Sequence, residues 1–375
     1  MTFRFIHSSD LHLGKRFGQF TGDLPAKLRE ARHAVIGRLA GHARAEGAQT
    51  ILLAGDTFDT ETPAPDVRRQ ALAEMRHHAP IHWVILPGNH DSLQAAQLWQ
   101  SLRADAPDNV TLAIEAGPVD LAPGVVLLPA PCTFRRPGKD LTQWMDAAAT
   151  TDGTIRIGLA HGAVQSFSED ADATGIIAPD RATRAGLSYL ALGDWHGGVE
   201  INQRTRYCGT PEPDRFKHDR PGEALLVALD GASALPQVTP LETGSFSWRT
   251  HAFDVMDGID PASAMEALLP EPRLRRQALI RLVPGGRARL EARTSLAAAA
   301  ERARPDFAFL DYDDGSLATE CDAADLDAID RAGALREAAD TLLVEADDAA
   351  RSADEREIAR AALARLYAYA QEIAP

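Results

Sequence analysis

The sequence predicts an α/β fold, because strand-like and helix-like segments alternate along its first half and polar residues follow each strand-like run. The chain has 375 residues, of which 45% are hydrophobic, so it is long enough for one large domain and one or two smaller ones. In parallel α/β sheets, ligands collect beyond the carboxyl ends of the strands. We therefore expect a functional site in the loops that follow the strands.

The strand-like runs are short, apolar and rich in β-branched residues or leucine. Five of them lie at Arg4–His7, Thr50–Ala54, Ile81–Leu86, Thr154–Ala160 and Leu187–Leu192. Helix-like segments at Pro25–Glu46 and Ala64–His78 separate the first three runs. This alternation predicts a parallel α/β sheet in a catalytic domain that spans residues 1–240.

The second half of the chain has a different pattern. Gly222–Leu229 is a further strand-like run, and a smaller α+β domain is predicted over residues 245–312, with a strand at Gln277–Leu282. Residues 318–375 are rich in alanine, leucine and charged residues, and helices are predicted over residues 334–348 and 354–373. The apolar stripes of these helices indicate packing onto their own domain or docking of a partner.

The formal net charge of −15 is unevenly distributed. Residues 311–375 carry 17 Asp and Glu against 6 Arg, whereas residues 271–310 carry 9 Arg against 4 acidic residues. Because the acidity belongs mostly to the tail, the overall charge does not exclude a nucleic-acid substrate.

Other composition features exclude several classes of protein. We expect no signal peptide and no membrane span, because no apolar run approaches about 20 residues. The chain is accordingly predicted to be cytoplasmic. Cys132, Cys208 and Cys321 form no CxxC pair, so neither a disulfide framework nor a zinc–thiolate site is predicted. No phosphate-binding Gly-x-x-x-x-Gly-Lys-Ser/Thr loop is present, so any use of ATP would require a partner.

Potential metal ligands follow all five strand-like runs. The five segments are Asp10-Leu11-His12, Gly55-Asp56-Thr57-Phe58-Asp59, Pro87-Gly88-Asn89-His90-Asp91, Ala160-His161-Gly162 and Gly193-Asp194-Trp195-His196. Each segment alone could be a capping residue, an Asx turn or a surface histidine. Together they supply carboxylate, amide and imidazole groups, a mixture that suits two divalent ions such as manganese, iron, magnesium or zinc.

In order and spacing, these segments resemble the signature of the calcineurin-like metallophosphoesterases. Two further segments, residues 6–15 (IHSSDLHLGK) and 207–213 (YCGTPEP), resemble the SbcD-type DNA-repair exonucleases. The broad resemblance covers roughly residues 1–240. It implies a four-layer αββα sandwich. The narrower resemblance implies that residues 245–312 form a capping, DNA-contacting domain, and residues 318–375 are expected to form an acidic helical C-terminal region.

The resemblance also implies two metal ions about 3.5–4 Å apart, with manganese as the expected metal and iron(II) or magnesium as alternatives. Asp10, His12, Asp56 and His196 would hold one ion, and Asp56, Asn89, His161 and Asp194 would hold the other, with Asp56 as the bridge. His90 would act near the scissile phosphate, with Asp91 orienting its ring. His7 is expected to be a packed or supporting histidine.

One residue departs from the family pattern. Family members have Gly-His-x-His where this chain has Gly193-Asp194-Trp195-His196. A carboxylate at residue 194 can still bind metal, and as a harder donor it favours manganese, iron or magnesium over zinc. It also leaves open a binding subunit with an impaired metal centre.

The substrate expectation is DNA, with a phosphodiesterase or phosphatase acting on nucleotides or phosphoproteins as the alternative. Two sets of basic residues favour DNA: Arg273, Arg275, Arg276, Arg281, Arg287, Arg289 and Arg293, and Arg215, Lys217, His218 and Arg220. These residues either contact backbone phosphates or pair with local acids. The sequence shows no aromatic stacking platform, so little base specificity is expected. The expected partners are an SbcC-type coiled-coil ATPase and a second copy of the chain.

Overall fold

The computed structural model describes residues 2–165, 177–217, 219–255, 260–320, 326, 327, 329 and 333–373. The chain divides into two compact units, residues 1–247 and 248–375. Each unit has its own sheets and helices, and only the first carries the predicted ligand loops.

The first unit contains two six-stranded sheets among its described residues. Sheet 1 has the strand order β12-β11-β1-β2-β3-β4, and its strands are β1 (Phe3–Ser8), β2 (Thr50–Leu53), β3 (His82–Ile85), β4 (Val110–Leu112), β11 (Glu223–Leu229) and β12 (Gln237–Glu242). Sheet 2 has the order β5-β6-β7-β8-β10-β9, and its strands are β5 (Val119–Ala122), β6 (Val125–Ala130), β7 (Ile155–His161), β8 (Tyr189–Gly193), β9 (Gly198–Asn202) and β10 (Thr205–Cys208).

Parallel pairing puts the ends of the central strands at the same edge. In sheet 1, β1 pairs with β2 and β2 with β3 in parallel; in sheet 2, β6 pairs with β7 and β7 with β8 in parallel. The strands predicted from the sequence are present and agree to within two residues at each end, except that the strand predicted at Gln277–Leu282 continues to Arg289.

Helices cover the outer face of sheet 1. They are α1 (Leu24–Ala45), α2 (Pro65–His77) and α3 (Ala96–Asp105). Sheet 2 is covered by a 3₁₀ helix at Gln143–Ala147 and by the short α4 (Arg181–Arg184). The helix predicted at Pro25–Glu46 is α1, and the helix predicted at Ala64–His78 is α2.

Alternation along the strands builds the layers, since successive side chains point to opposite faces. In β1, Phe5 packs in the apolar core that the two sheets share, whereas Ile6 packs in the core beneath the helices of sheet 1. In β3, Val84 likewise packs in the core between the sheets, and Trp83 packs beneath the helices. The αββα sandwich is therefore confirmed as a helix–sheet–sheet–helix stack.

The second unit is a four-stranded sheet with helices. Its strands are β13 (Ser247–Val255), β14 (Ala278–Arg289), β15 (Phe309–Tyr312) and β16 (Leu317–Glu320), and its helices are α5 (Pro261–Glu266), α6 (Pro272–Arg275), α7 (Leu290–Ala303), a 3₁₀ turn at Arg304–Asp306, α8 (Ala334–Asp347) and α9 (Ala353–Ile373). The strand β14 is central, because β13, β15 and β16 all pair with it. Leu290 of α7 is fully buried in a core that also contains Leu363 and Tyr367 of α9, so α9 packs on its own unit.

Candidate metal centre

The five predicted ligand loops meet at one edge of the first unit. Asp10 lies two residues beyond β1, Asp56 three residues beyond β2 and Asn89 four residues beyond β3, all in sheet 1. His161 is the last residue of β7, and Asp194 directly follows β8, both in sheet 2. Candidate ligands therefore come from both sheets.

The backbone at these residues is unusual. Asp10, His12, Asp56 and Asp194 all have positive φ angles, of 55°, 43°, 52° and 107°. Residues other than glycine rarely adopt this conformation, and it persists only where the surroundings fix it. Here the Asp10 N–H donates to the carbonyl of Gly55 at 3.1 Å and the His12 N–H donates to that of Asp56 at 3.0 Å. Hydrogen bonds between the first two loops thus hold Asp10 and His12 in place.

Glycines allow the loops to approach one another closely. A Cβ atom at Gly88 would lie 2.1 Å from the Asp56 Oδ1 atom, and one at Gly193 would lie 2.1 Å from the carbonyl oxygen of Ala54. Atoms cannot approach this closely, so both positions require glycine.

The side chains form three overlapping groups in which the potential ligand atoms all lie within 4.8 Å of one another. The groups are Asp10, His12 and His196; His12, Asp56 and His90; and Asp10, Asp56 and His161. Asn89 and Asp194 adjoin them, because Asn89 Nδ2 donates to Asp194 Oδ1 at 3.1 Å and that oxygen lies 3.7 Å from His161 Nε2. All seven residues predicted as metal ligands are therefore brought together.

Two carboxylates divide their oxygen atoms between the protein and the cluster. Asp56 Oδ1 accepts from the His90 N–H at 2.8 Å, while Oδ2 lies 3.6 Å from His161 Nε2 and 3.8 Å from His12 Nε2. Asp10 Oδ2 accepts from the Asp194 N–H at 3.2 Å, while Oδ1 lies 3.8 Å from His196 Nε2. One oxygen of each carboxylate thus fixes a loop and the other faces imidazoles.

The cluster has the properties of a site for divalent cations. Asp10 Oδ1, Asn89 Oδ1 and His161 Nε2 are buried and have no hydrogen-bond partner among the described residues. Buried polar atoms rarely lack a partner, and these three are types that bind metal ions. The residues present therefore fit two divalent ions.

Electrostatics supports the same interpretation. Burial raises the pKa of Asp56 well above its usual range, and the nearby Asp91 and Asp10 charges add to that effect. Burial lowers the pKa of His161, but the negative charges of Asp56, Asp10 and Asp194 outweigh it and raise that pKa to about 9. The cluster therefore attracts positive charge.

Supporting carboxylates hold two of the histidine rings. Asp214 Oδ1 lies 3.2 Å from His196 Nδ1, and Asp59 Oδ1 lies 3.3 Å from His12 Nδ1. The Asp214 contact is a hydrogen bond that fixes the His196 ring with Nε2 facing the cluster, whereas Asp59 contributes a carboxylate charge beside His12 Nδ1. Neither aspartate was predicted as a site residue, although Asp59 ends the quoted Gly55–Asp59 segment and Asp214 directly follows residues 207–213.

His7 is buried, as expected for a supporting histidine. Its Nε2 donates to the Leu192 carbonyl at 3.1 Å, and its Nδ1 accepts from the Tyr189 hydroxyl at 3.0 Å, which assigns a neutral ring. It therefore joins β1 of sheet 1 to β8 of sheet 2.

The structure corrects the role expected for Asp91. Its two carboxylate oxygens accept from the backbone N–H groups of Gly88 at 2.7 Å and Phe58 at 3.0 Å. The His90 ring is held instead by the backbone carbonyl of Asp59, 2.9 Å from Nδ1. Asp91 thus fixes the loops rather than the His90 ring, because its oxygens are already used by the backbone.

Several arginines predicted to contact phosphate pair with nearby acids. Arg273 pairs with Glu271 at 2.8 Å, Arg281 with Asp311 at 3.0 Å, Arg293 with Asp314 at 2.8 Å, and Arg275 with Glu266. Arg275 and Arg293 are also buried. For these four, the alternative of local pairing fits the structure better than phosphate binding.

The second set of basic residues, at 215–220, also contacts other residues of the protein. Arg215 lies 3.1 Å from Asp214, and Lys217 Nζ lies 5.8 Å from the centre of the Trp195 ring. Arg220 pairs with Glu223 at 3.8 Å. His218 lies outside the described residues.

Comparisons with known proteins agree with this site. Residues 3–227 match the family model described as calcineurin-like phosphoesterase. The uncharacterized metallophosphoesterase YhaO of Bacillus subtilis (strain 168) is 27% identical over 213 residues, which cover 51% of this chain and 48% of that protein. The chain thus aligns with about half the length of this relative.

Three solved structures resemble part of the chain. The protein TT1561 of Thermus thermophilus is 9% identical (65% of this chain, 100% of that chain, TM-score 0.39). GAP50, described as the anchor in the inner membrane complex of Plasmodium, is 10% identical (64% and 85%, TM-score 0.42). A dimetal phosphatase from Danio rerio is 12% identical (63% and 98%, TM-score 0.38). Within the described ranges, none of the helices combines the length and apolarity needed to cross a membrane.

Proposed function

Because the chain belongs to the calcineurin-like phosphoesterase family, we propose that it is an SbcD-like nuclease that hydrolyses phosphodiester bonds in DNA. The observation that carries the hydrolytic part is the convergence of seven metal-binding side chains from five loops on one cluster. Those side chains are Asp10, His12, Asp56, Asn89, His161, Asp194 and His196.

Two divalent ions at this cluster would supply a bound water of lowered pKa and neutralise charge on the phosphoryl oxygens. Asp10, His12 and His196 would hold one ion, Asn89, His161 and Asp194 would hold the other, and Asp56 would contact both. The harder donor at Asp194 supports manganese, with iron(II) or magnesium as the alternatives.

His90 contributes proton transfer. A carbonyl only accepts hydrogen bonds, so the contact with Asp59 fixes the proton on Nδ1 of His90 and leaves Nε2 for the substrate. Burial lowers the pKa of His90, so the ring is neutral at neutral pH and Nε2 can take up the proton that the attacking water releases. Once protonated, the same nitrogen donates to the leaving oxygen.

The DNA part rests on the resemblance of two segments to SbcD-type enzymes, and these two segments are in contact beside the cluster. The Thr210 hydroxyl donates to the carbonyl of Asp10 at 3.0 Å, and the Thr210 N–H donates to that of His196 at 3.0 Å. Residues 207–213 therefore pack beneath ligand loops from both sheets, next to the segment 6–15.

The test is hydrolysis of end-labelled single- and double-stranded DNA by the purified protein with manganese, magnesium or chelator. We expect metal-dependent cleavage that His90→Ala abolishes. His77→Ala, which removes an exposed histidine at the end of α2, is the matched control and should cleave like the wild type.

Other outcomes identify the alternatives. Cleavage of small diesters or phosphopeptides, with DNA intact, would replace the nuclease by a phosphodiesterase or phosphatase. Fewer than two ions per chain with no hydrolysis of any ester would favour a binding subunit impaired at Asp194. An SbcC-type ATPase partner and a homodimer remain proposals from the same resemblance, testable by co-purification and by light scattering.

A further inference from the structure

A basic loop begins beside the turn that carries Asn89 and His90. This 133–139 loop (TFRRPGK) follows β6, and the residue before it, Cys132, is fixed on both sides of the turn. The Cys132 N–H donates to the Pro87 carbonyl at 3.1 Å, and the Cys132 carbonyl accepts from the Leu93 N–H at 2.9 Å. The loop therefore leaves the fold next to the candidate metal centre.

The loop presents three exposed cations, Arg135, Arg136 and Lys139, and contains no acidic residue. None of the three forms an ion pair or a hydrogen bond with a residue that the structure describes. They differ in this respect from Arg273, Arg275, Arg281 and Arg293, which pair with acids.

One of these cations lies near the reacting region. The backbone of Cys132 is hydrogen-bonded to Pro87 and to Leu93, on either side of the turn that carries His90, and Arg135 follows only three residues later. This connection keeps Arg135 close to the turn, on the His90 side of the cluster. A phosphate next to the scissile one would be within the field of this group.

An aromatic ring stands beside the cations. Phe134 is 56% exposed, a large fraction for a phenylalanine and the largest for an aromatic side chain among the described residues. An exposed ring flanked by unpaired arginines is the combination that binds a nucleic-acid strand, because the ring stacks on a base and the arginines contact phosphates. Small phosphoesters and phosphopeptides offer no base to the ring.

We propose that the 133–139 loop binds an unpaired nucleotide next to the scissile phosphate, with Phe134 stacked on the base and Arg135 and Arg136 on backbone phosphates. The ring can stack only on a base that has left the duplex, so the favoured ligand is a single strand or a frayed end. This inference rests on the proposed nuclease function and names the form of DNA that the site takes.

The binding test uses fluorescently labelled oligothymidylate, with anisotropy measured in chelator so that no cleavage occurs. We expect Phe134→Leu to weaken binding roughly five- to 150-fold, the usual effect of removing a stacking ring. Phe134→Trp should retain affinity, and its added indole emission should be quenched by the oligonucleotide. Arg135→Gln with Arg136→Gln should weaken binding and reduce its salt dependence.

Two control variants remove exposed side chains elsewhere, Leu235→Ala (52% exposed in the wild type) and Arg103→Gln, and should bind like the wild type. Thermal melting checks that every variant is folded. A blunt duplex should bind less tightly than the oligothymidylate and should be insensitive to Phe134→Leu.

The outcomes separate this inference from the nuclease proposal. If the wild type cleaves DNA and binds oligothymidylate but Phe134→Leu binds equally well, the loop proposal is wrong and the nuclease stands. If the wild type neither binds nor cleaves DNA, both are wrong. If Phe134→Leu weakens duplex and single strand equally, the unpaired-base assignment is overturned.

Discussion

His12 Nε2 and His196 Nε2 lie 3.2 Å apart, although one residue follows β1 of sheet 1 and the other follows β8 of sheet 2. The Nδ1 atom of each ring faces a carboxylate, Asp59 for His12 and Asp214 for His196. With a proton at each Nδ1 atom, the two Nε2 atoms would direct lone pairs at one another. A cation bound to both Nε2 atoms would remove the repulsion between these two lone pairs.

Manganese should therefore stabilise the folded protein. At 100 times the dissociation constant, we expect about 2.7 kcal/mol for each independent site. Isothermal titration should give two ions for the wild type and one for His196→Ala, and thermal melting should give a smaller shift for the variant. An unchanged stoichiometry in His196→Ala would exclude His196 as a ligand.

Asp214→Asn should weaken metal binding without removing a ligand. The buried carboxylate holds His196 Nδ1 and also pairs with Lys15 at 2.9 Å. Loss of such a supporting partner usually costs 10- to 100-fold in metal affinity. We expect that range for Asp214→Asn in a manganese titration, and a much smaller effect for Lys15→Met, which keeps the histidine contact. Equal effects of the two variants would point to general electrostatics instead.

Gly88→Ala should displace Asp56. Its new Cβ would lie 2.1 Å from Asp56 Oδ1 and 2.3 Å from the Asp56 backbone nitrogen, so the loops must move apart. We expect a loss of roughly 1–3 kcal/mol or more in unfolding free energy, measured with urea, together with weaker manganese binding. The control is Gly41→Ala in α1, where nothing lies within 4 Å of the added methyl and a gain of about 0.4–1 kcal/mol is expected. Wild-type metal affinity in Gly88→Ala would contradict the close approach of these loops.

His7 should make the metal-free protein sensitive to acid. Burial lowers the pKa of His7 to about 3, compared with 6.5 in the unfolded chain. Its contribution to stability is complete above pH 6.5 and is lost as the pH falls from 6.5 toward 3, amounting to about 2 kcal/mol by pH 5. Urea unfolding in chelator at pH 7, 6 and 5 should show a smaller decline for His7→Gln. The exposed-site variant His77→Gln should follow the wild type, and parallel curves for all three would refute this role.

Local patterns in the sequence were sufficient to predict seven of the strands, the four helices α1, α2, α8 and α9, and the cluster of ligands. They did not predict the other strands or α7. Each ligand follows an apolar run, and parallel strands bring such positions to one edge. The division into two sheets is harder to derive. All four residues of β2 are buried, so no alternation indicates which face of the strand meets which layer. The layered fold was predicted from the family resemblance instead.

Contacts between distant loops could not be predicted from one sequence. Asp91 is adjacent to His90, yet its carboxylate bonds the backbone of Phe58 and Gly88. Asp214 reaches His196 only because the segment after β10 returns beneath the cluster. Side-chain directions such as these depend on tertiary packing, and the exposure of Phe134 depends on it equally.

The candidate ligands are shared between two sheets that are also joined by an apolar core and by the hydrogen bonds of His7. A pair of ions bound at this edge would act as a crosslink between them. In the metal-free protein, amide hydrogens of β1–β3 and of β7–β8 should exchange with solvent through separate local openings of different free energy. With the crosslink in place, neither sheet can open alone without releasing the ions, so the two sets of amides should exchange together in one cooperative unfolding event.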